Sequence, residues 1–241
     1  MESLEGGIGM VTGGGRGLGA SICRVLAGAG MHVICADIRE ELACEVVKGL
    51  NGSAEACLAM KLDVADERSV EAAVAGALSA FGRIDVLVNN AAVDFTLPLE
   101  EITVQQWDAV LNVNLRGPFL VTKHVYESMK ARRSGHIINI ASTASKRAWA
   151  NASAYHASKW GLLGFSHALH AEARLHHIKV SAVISGGMRT PFLLDRFPDI
   201  DTATLQDPDN VAQTVKFLLL QPEETVIPEI MVLPLRETSW P

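Results

Sequence analysis

Seven short apolar runs, separated by helix-length segments, constrain this 241-residue chain more than any other feature. They lie at Ile8–Val11, Met31–Ala36, Ala56–Leu62, Ile84–Val88, His136–Ile140, Lys179–Ile184 and Val226–Leu233. Most are continuous rather than alternating, as in VICA or VLV. A strand covered on both faces has this pattern, whereas a half-solvated strand alternates. Between the runs, amphipathic patterns predict helices at Gly17–Ala29, Arg39–Leu50, Glu67–Ala80, Val104–Arg132, Ser153–His176 and Pro208–Leu220. Regular strand-helix alternation predicts an α/β fold, doubly wound, with a seven-stranded, mostly parallel sheet and helices on both faces. No repeat or linker divides residues 1–241, so one domain is expected. The rhythm breaks between Gly186 and Pro208. A segment at about 187–207, rich in proline and apolar residues, reads either as a substrate lid or as cover for a sheet edge.

Composition narrows the function. Hydrophobic residues at 49% and charged residues at 20% exclude a disordered chain. A net charge of -6 argues against nucleic acid as a partner, and Arg132-Arg133 reads as a solvated loop. No run approaches the ~20 apolar residues of a membrane span, and no basic segment precedes an apolar one at the start. Cys23, Cys35, Cys44 and Cys57 form no CxxC pair and read as reduced core thiols of a cytoplasmic protein. His167 and His170 share a helix face, but no HExxH or Cys/His cluster supports a metal, and none is expected. No GxSxG elbow is present, which disfavours an α/β hydrolase.

The chemistry starts at Thr12-Gly13-Gly14-Gly15-Arg16-Gly17-Leu18-Gly19, between the first strand and the first helix. Such a turn offers backbone N–H groups and a helix N-terminus to a pyrophosphate, as in Rossmann-type dinucleotide sites. Asp37 ends the second strand, twenty residues past Gly17. A carboxylate there accepts bonds from the adenosine ribose hydroxyls and repels a 2′-phosphate, favouring NAD over NADP. Arg16 and Arg39 stand close enough in sequence to weigh toward NADP. Ser142 ends the fifth strand, and Tyr155 and Lys159 follow at i and i+4 on one helix face. An ammonium beside a phenol lowers its pKa and equips it for proton exchange with a carbonyl or alcohol oxygen. His156 points away from Tyr155 and is not assigned to catalysis.

These motifs, with Asp63-Val64, Asn89-Asn90-Ala91-Ala92 and Asn114, resemble the short-chain dehydrogenase/reductase family over about Gly6 to Leu219. The resemblance implies hydride transfer between a nicotinamide cofactor, NAD before NADP, and a small-molecule secondary alcohol or ketone. It implies Tyr155 as general acid/base, Lys159 tuning it and binding the nicotinamide ribose, Ser142 orienting the substrate oxygen, and Asn114 holding a water between Lys159 and solvent. Gly13, Arg16, Gly17, Leu18, Gly19, Asp37, Asp63, Val64, Asn89, Ala91, Gly186 and Thr190 would form the rest of the cofactor site. Asp63 and Val64 would flank the adenine, and Asn89 and Ala91 would line the cofactor channel and support the sheet.

The chain departs from the family at three places. Ala92 stands where many members have glycine. Ser185-Gly186 replaces the usual Pro-Gly, predicting a looser loop at the nicotinamide. The C-terminus lacks the usual Asp-Gly-Gly segment, so a homodimer or homotetramer would rest on the long helices, with Trp240 either an interface anchor or a frayed end. Met188, Phe192, Leu193, Leu194, Phe197 and Trp149 predict an apolar pocket suited to a ketone, a β-oxoacyl group, a steroid-like ring or a cyclic alcohol. Asp94 and Ser185 fit a polyol hydroxyl instead. Two other classes compete: an NAD(P)-binding sensor or regulator with little turnover, and a SAM-dependent methyltransferase. The sensor class commonly loses the Tyr or Lys, and in the methyltransferase YxxxK would have no role.

Overall fold

The computed structural model describes residues 3–50 and 57–237. Seven strands form one sheet: β1 (Ile8–Thr12), β2 (His32–Asp37), β3 (Cys57–Lys61), β4 (Val86–Asn89), β5 (Gly135–Ser142), β6 (Ile178–Ser185) and β7 (Glu229–Val232). Their order is β3-β2-β1-β4-β5-β6-β7, and all six pairings are parallel. The helices are α1 (Gly17–Ala27), α2 (Glu40–Gly49), α3 (Glu67–Phe81), α4 (Val104–Leu111), α5 (Gly117–Arg132), α6 (Ser153–Ala173), α7 (Pro191–Leu194) and α8 (Pro208–Leu219).

The continuous apolar runs sort by alternation onto two cores. Val11, Val33, Cys35, Val88 and Ile138 pack against α1, α2 and α8 through residues such as Ile22, Ala43 and Val215. Met10, Ile34, Leu87 and Ile137 face the other way, onto Val74 of α3, Val125 of α5 and Leu169 of α6. Most side chains on the central strands are therefore apolar, which is why the sequence does not alternate, and the buried polar exceptions are paired, as Asn89 is with Asn139 and His136 with Ser181.

Three expected elements differ in detail. The helix expected over Val104–Arg132 is interrupted by a π-helical segment, Asn112–Arg116, before Gly117 and Pro118 open α5. The last strand is four residues rather than eight and lies at the sheet edge, because Pro228 and Pro234 bracket it and have no N–H for a ladder. The third strand begins at Cys57; Ala56, its expected first residue, lies outside the described residues, as do Met1, Glu2, Trp240 and Pro241. All four cysteines are free thiols, Cys23 and Cys35 buried and Cys44 and Cys57 half-buried. Among the described residues no helix is long and apolar enough to cross a membrane.

Candidate active site

The carboxyl ends of β1, β4, β5 and β6 open onto one cavity of about 680 Å3, a size typical of small-molecule and cofactor sites. The sheet order reverses direction between β1 and β4, the place where open α/β sheets bind ligands.

The glycine turn forms one end. Gly13 has φ +63°, and a Cβ there would stand 2.8 Å from the Cα of Ala91. A Cβ on Gly19 would lie 2.0 Å from the Gly13 carbonyl oxygen. The turn closes only because both positions lack a side chain. Thr12 locks it to the loop after β4: its Oγ1 accepts from the N–H groups of Asn90 (3.0 Å) and Ala91 (3.1 Å). Asn90 answers by donating Nδ2 to the carbonyls of Thr12 and Gly13. Arg16, Gly17 and Leu18 line the cavity, whereas Gly19 stands behind the turn as a packing position.

Asp37 is 5% exposed at this end. Its Oδ2 accepts from Gly15 N–H and its Oδ1 from Arg39 N–H, fixing the carboxylate at the cavity wall with acceptor capacity to spare. Asp63 and Val64 line the adjoining wall. Asp63 is held by Ser69 through its own N–H and caps Ala65 through Oδ1. Val64 packs on Gly117 at the start of α5.

At the other end, Ser142, Tyr155 and Lys159 face the cavity together. The Ser142 side chain hydrogen-bonds the Tyr155 phenol. Burial pushes that phenol up to about 12; the Ser142 bond opposes the rise, and the charge of Asp94 adds to it. Lys159 is 3% exposed, and its Nζ donates to the Ile140 carbonyl at 2.8 Å while standing 5.6 Å from the centre of the Tyr155 ring. Burial lowers its ammonium to about 8. For the phenol, desolvation outweighs the Ser142 bond, while Lys159 holds the Ile140 carbonyl with one of its three N–H donors. Tyr155 is held as a neutral acid at neutral pH.

Asn89 takes the sheet-supporting half of its expected role: its amide donates to Thr122 Oγ1 (3.0 Å) and Asn139 Oδ1 (2.8 Å) inside the layer under the sheet. The chain turns one residue later, so Asn90 and Ala91 take the cavity wall. Asn114, in the π-helical segment, donates both amide hydrogens, to the Val93 carbonyl (2.8 Å) and Ser158 Oγ (3.1 Å), and accepts from Val93 N–H. Its side chain thereby ties the cavity wall at Val93 to α6. A π-bulge at such a position is a common functional signature.

Ser185, where many relatives carry proline, ends β6, paired in register with Ser142 and Val232, and its Oγ donates to the Ala141 carbonyl. Gly186 and Gly187 follow at the cavity wall. Sequence reasoning missed their partner there: Glu237, near the C-terminus, accepts from Gly187 N–H at 2.9 Å and also lines the cavity. No sequence pattern signals that contact. Thr190 is buried against Gly17 at the residue before α7, where its side chain makes no capping bond.

The segment at 187–207 lies over the opening, contributing Met188, Phe192, Leu193, Phe197 and Leu205 to the wall. It carries one short helix, α7, and one bridge, Met188 to Gln206. Two consecutive side chains fasten it to opposite walls. Asp195 pairs with Arg16 of the glycine turn at 3.1 Å, and Arg196 pairs with Asp94 on the loop after β4. Trp149 closes the side, positioned by His156, whose Nε2 accepts from Trp149 N–H and whose Nδ1 bonds the Ala144 carbonyl. Among the described residues no group of three His, Cys, Asp or Glu is arranged for a metal.

A family model described as short chain dehydrogenase matches residues 8–201. The chain is 38% identical over 180 residues to D-threitol dehydrogenase of Mycolicibacterium smegmatis, covering 75% of this chain and 69% of that one. The crystal structure of a metagenomic short-chain oxidoreductase in complex with NADP superposes with a TM-score of 0.85 at 34% identity, covering 96% of this chain and 98% of the other. That of 3-ketoacyl-(acyl-carrier-protein) reductase from Brucella melitensis, complexed with NADH, superposes with a TM-score of 0.88 at 30% identity, covering 97% and 99%.

Proposed function

The chain belongs to the short-chain dehydrogenase family, and on that premise we propose that it is an NAD(H)-dependent oxidoreductase interconverting a secondary alcohol and a ketone. The observation that carries this reading is one cavity holding both the glycine turn with Asp37 and the trio Ser142, Tyr155 and Lys159. The glycine turn fits a pyrophosphate, since its close backbone, which a Cβ at Gly13 or Gly19 would force apart, opens a helix at the cavity wall. Gly13, Arg16, Gly17 and Leu18 would hold the phosphates, Asp37 the adenosine ribose, Asp63 and Val64 the adenine, and Ala91, Lys159, Gly186 and Thr190 the nicotinamide half. When bound, the nicotinamide supplies the hydride chemistry.

The chain's own residues supply the proton and its position. Ser142 and Tyr155 present two hydroxyls to one substrate oxygen. The neutral phenol gives its proton to that oxygen in reduction, and the phenolate takes the proton from it in oxidation. Lys159 keeps a second exchangeable proton close behind. Asn114 acts as a positioning residue through Val93 and Ser158. Residues 187–207 act as the substrate lid, excluding water with their apolar face.

Asp37 supports NAD over NADP, because a buried carboxylate fixed by two backbone N–H groups repels a 2′-phosphate. Arg16, which would favour NADP, is already paired with Asp195. Exposed Phe119 on α5 and Trp160 on α6 support a homodimer or homotetramer built on those helices. The test is a panel of secondary alcohols run with NAD and NADP in parallel, with Tyr155→Phe as control. Tyr155→Phe should bind cofactor and turn over at least about a hundredfold more slowly, the low end of general acid–base contributions. Retained turnover would refute the tyrosine role, and a strong NADP preference would refute the role of Asp37.

A further inference from the structure

The proton chemistry above makes no use of a carboxylate set into the substrate end of the cavity. Asp94 follows β4 by five residues and its side chain is 5% exposed. One oxygen, Oδ2, is held by the Arg196 guanidinium and by the Thr96 hydroxyl at 3.3 Å. The other, Oδ1, is buried and has no hydrogen-bond partner among the described residues. A carboxylate offers about four acceptor positions, and a buried oxygen left unmatched is costly. Asp94 lines the cavity, and the described residues supply no donor to its Oδ1, which is sealed from solvent with the 187–207 segment in the position seen here.

The neighbours define what that donor can be. The Arg196 guanidinium sits 4.3 Å over the Phe192 ring, and Phe192 in turn lies 6.0 Å from the Tyr155 ring. Asp94 therefore belongs to the same cluster of side chains as Tyr155, and its charge acts on both Tyr155 and Lys159. An anionic substrate group would be repelled by a carboxylate whose paired guanidinium is already engaged. A cationic group would meet Arg196 beside the carboxylate. A neutral donor meets neither penalty, and the commonest neutral donor on an alcohol substrate is another hydroxyl.

The geometry points to Asp94 as a specificity-determining residue whose Oδ1 accepts a hydrogen bond from a second hydroxyl of the substrate, selecting neutral polyhydroxy alcohols and hydroxyketones over monohydric or acidic ones. This rests on the oxidoreductase reading above and names its substrate class. Thr96 and Arg196 orient the carboxylate, and because Arg196 belongs to the lid, the second hydroxyl is read where the lid meets the body of the protein.

The test compares kcat/KM of the full-length enzyme, with NAD and with NADP, on matched pairs: butane-2,3-diol against 2-butanol, cyclohexane-1,2-diol against cyclohexanol, and the tetritols. A bond to a charged acceptor predicts a preference of about ten- to hundredfold for the polyhydroxy member. Asp94→Asn keeps the shape and an oxygen for Arg196 but puts an N–H where the free acceptor stood, so the ratio within each pair should fall toward one. Asp94→Ala should lower the same ratio by removing the acceptor outright. A ratio that survives both variants, or both members of a pair falling together, would overturn the inference. So would a wild-type enzyme that prefers the monohydric member, though that leaves the oxidoreductase reading intact. Failure of the wild type on every alcohol with either cofactor would remove both.

Discussion

Lys159 should make the folded protein less stable than it could be, and the cost can be worked from its surroundings. The ammonium is buried, its pKa lowered from 10.5 to about 8 by desolvation. At about 1.4 kcal/mol per pH unit, that depression corresponds to about 3 kcal/mol. Below pH 8 the lysine is protonated in the folded and unfolded chain alike, so the penalty is fully present at neutral pH. Between pH 8 and 10.5 the folded protein has shed the proton while the unfolded chain still binds it, and the penalty declines. Above 10.5 it is gone. Lys159→Met keeps much of the packing but loses the bond to the Ile140 carbonyl, a loss of about 1 kcal/mol. The variant should therefore be inactive yet more stable at pH 7 by about 2 kcal/mol, raising Tm by roughly 4–8 °C. Urea and thermal unfolding of both proteins at pH 7, 9 and 10.5 would measure it. A variant less stable than wild type at pH 7, or an advantage unchanged across that range, would refute the reasoning.

The phenol of Tyr155, pushed up to about 12, predicts that kcat/KM for alcohol oxidation rises with pH through the alkaline range, because that direction needs the proton removed. Ketone reduction uses the neutral phenol and should be flat across neutral pH. Initial rates in both directions test this, and an oxidation profile already flat above about pH 7 would contradict it. Thr12→Val is nearly isosteric but leaves the N–H groups of Asn90 and Ala91 without their acceptor. Two unpaired, half-buried amides should cost about 1–2 kcal/mol in denaturant unfolding; no measurable loss would show that the two loops are not fastened there.

The sequence carried the sheet well because a parallel sheet buried on both faces must be written as continuous apolar runs. The glycine turn was equally legible, since Gly13 and Gly19 sit where any Cβ would collide with the backbone. The same uniformity hid the side-chain directions. Val86, Leu87 and Val88 are all buried, so nothing in β4 told that Asn89 would face inward and Asn90 would reach the cavity. The π-helical segment was invisible because an i to i+5 turn leaves no distinct apolar period. Contacts between distant segments, such as Glu237 with Gly187, have no local pattern to read. The bond from Lys159 to the Ile140 carbonyl is of the same kind: proximity to Tyr155 at i and i+4 is foreseeable, but the backbone partner from β5 is not.

The adjacent charges Asp195 and Arg196 also specify how the segment over the cavity threads. Most of that segment lies outside any ladder, so strand pairing does little to fix its alignment. If the chain slipped one residue forward, Arg196 would face Arg16; one residue backward, and Asp195 would face Asp94. Either slip converts an attraction into a like-charge contact, and the Asp94 site is buried enough to make it expensive. Two neighbouring side chains of opposite sign thereby act as an alignment key, rejecting misthreaded forms in both directions where hydrogen-bond register cannot.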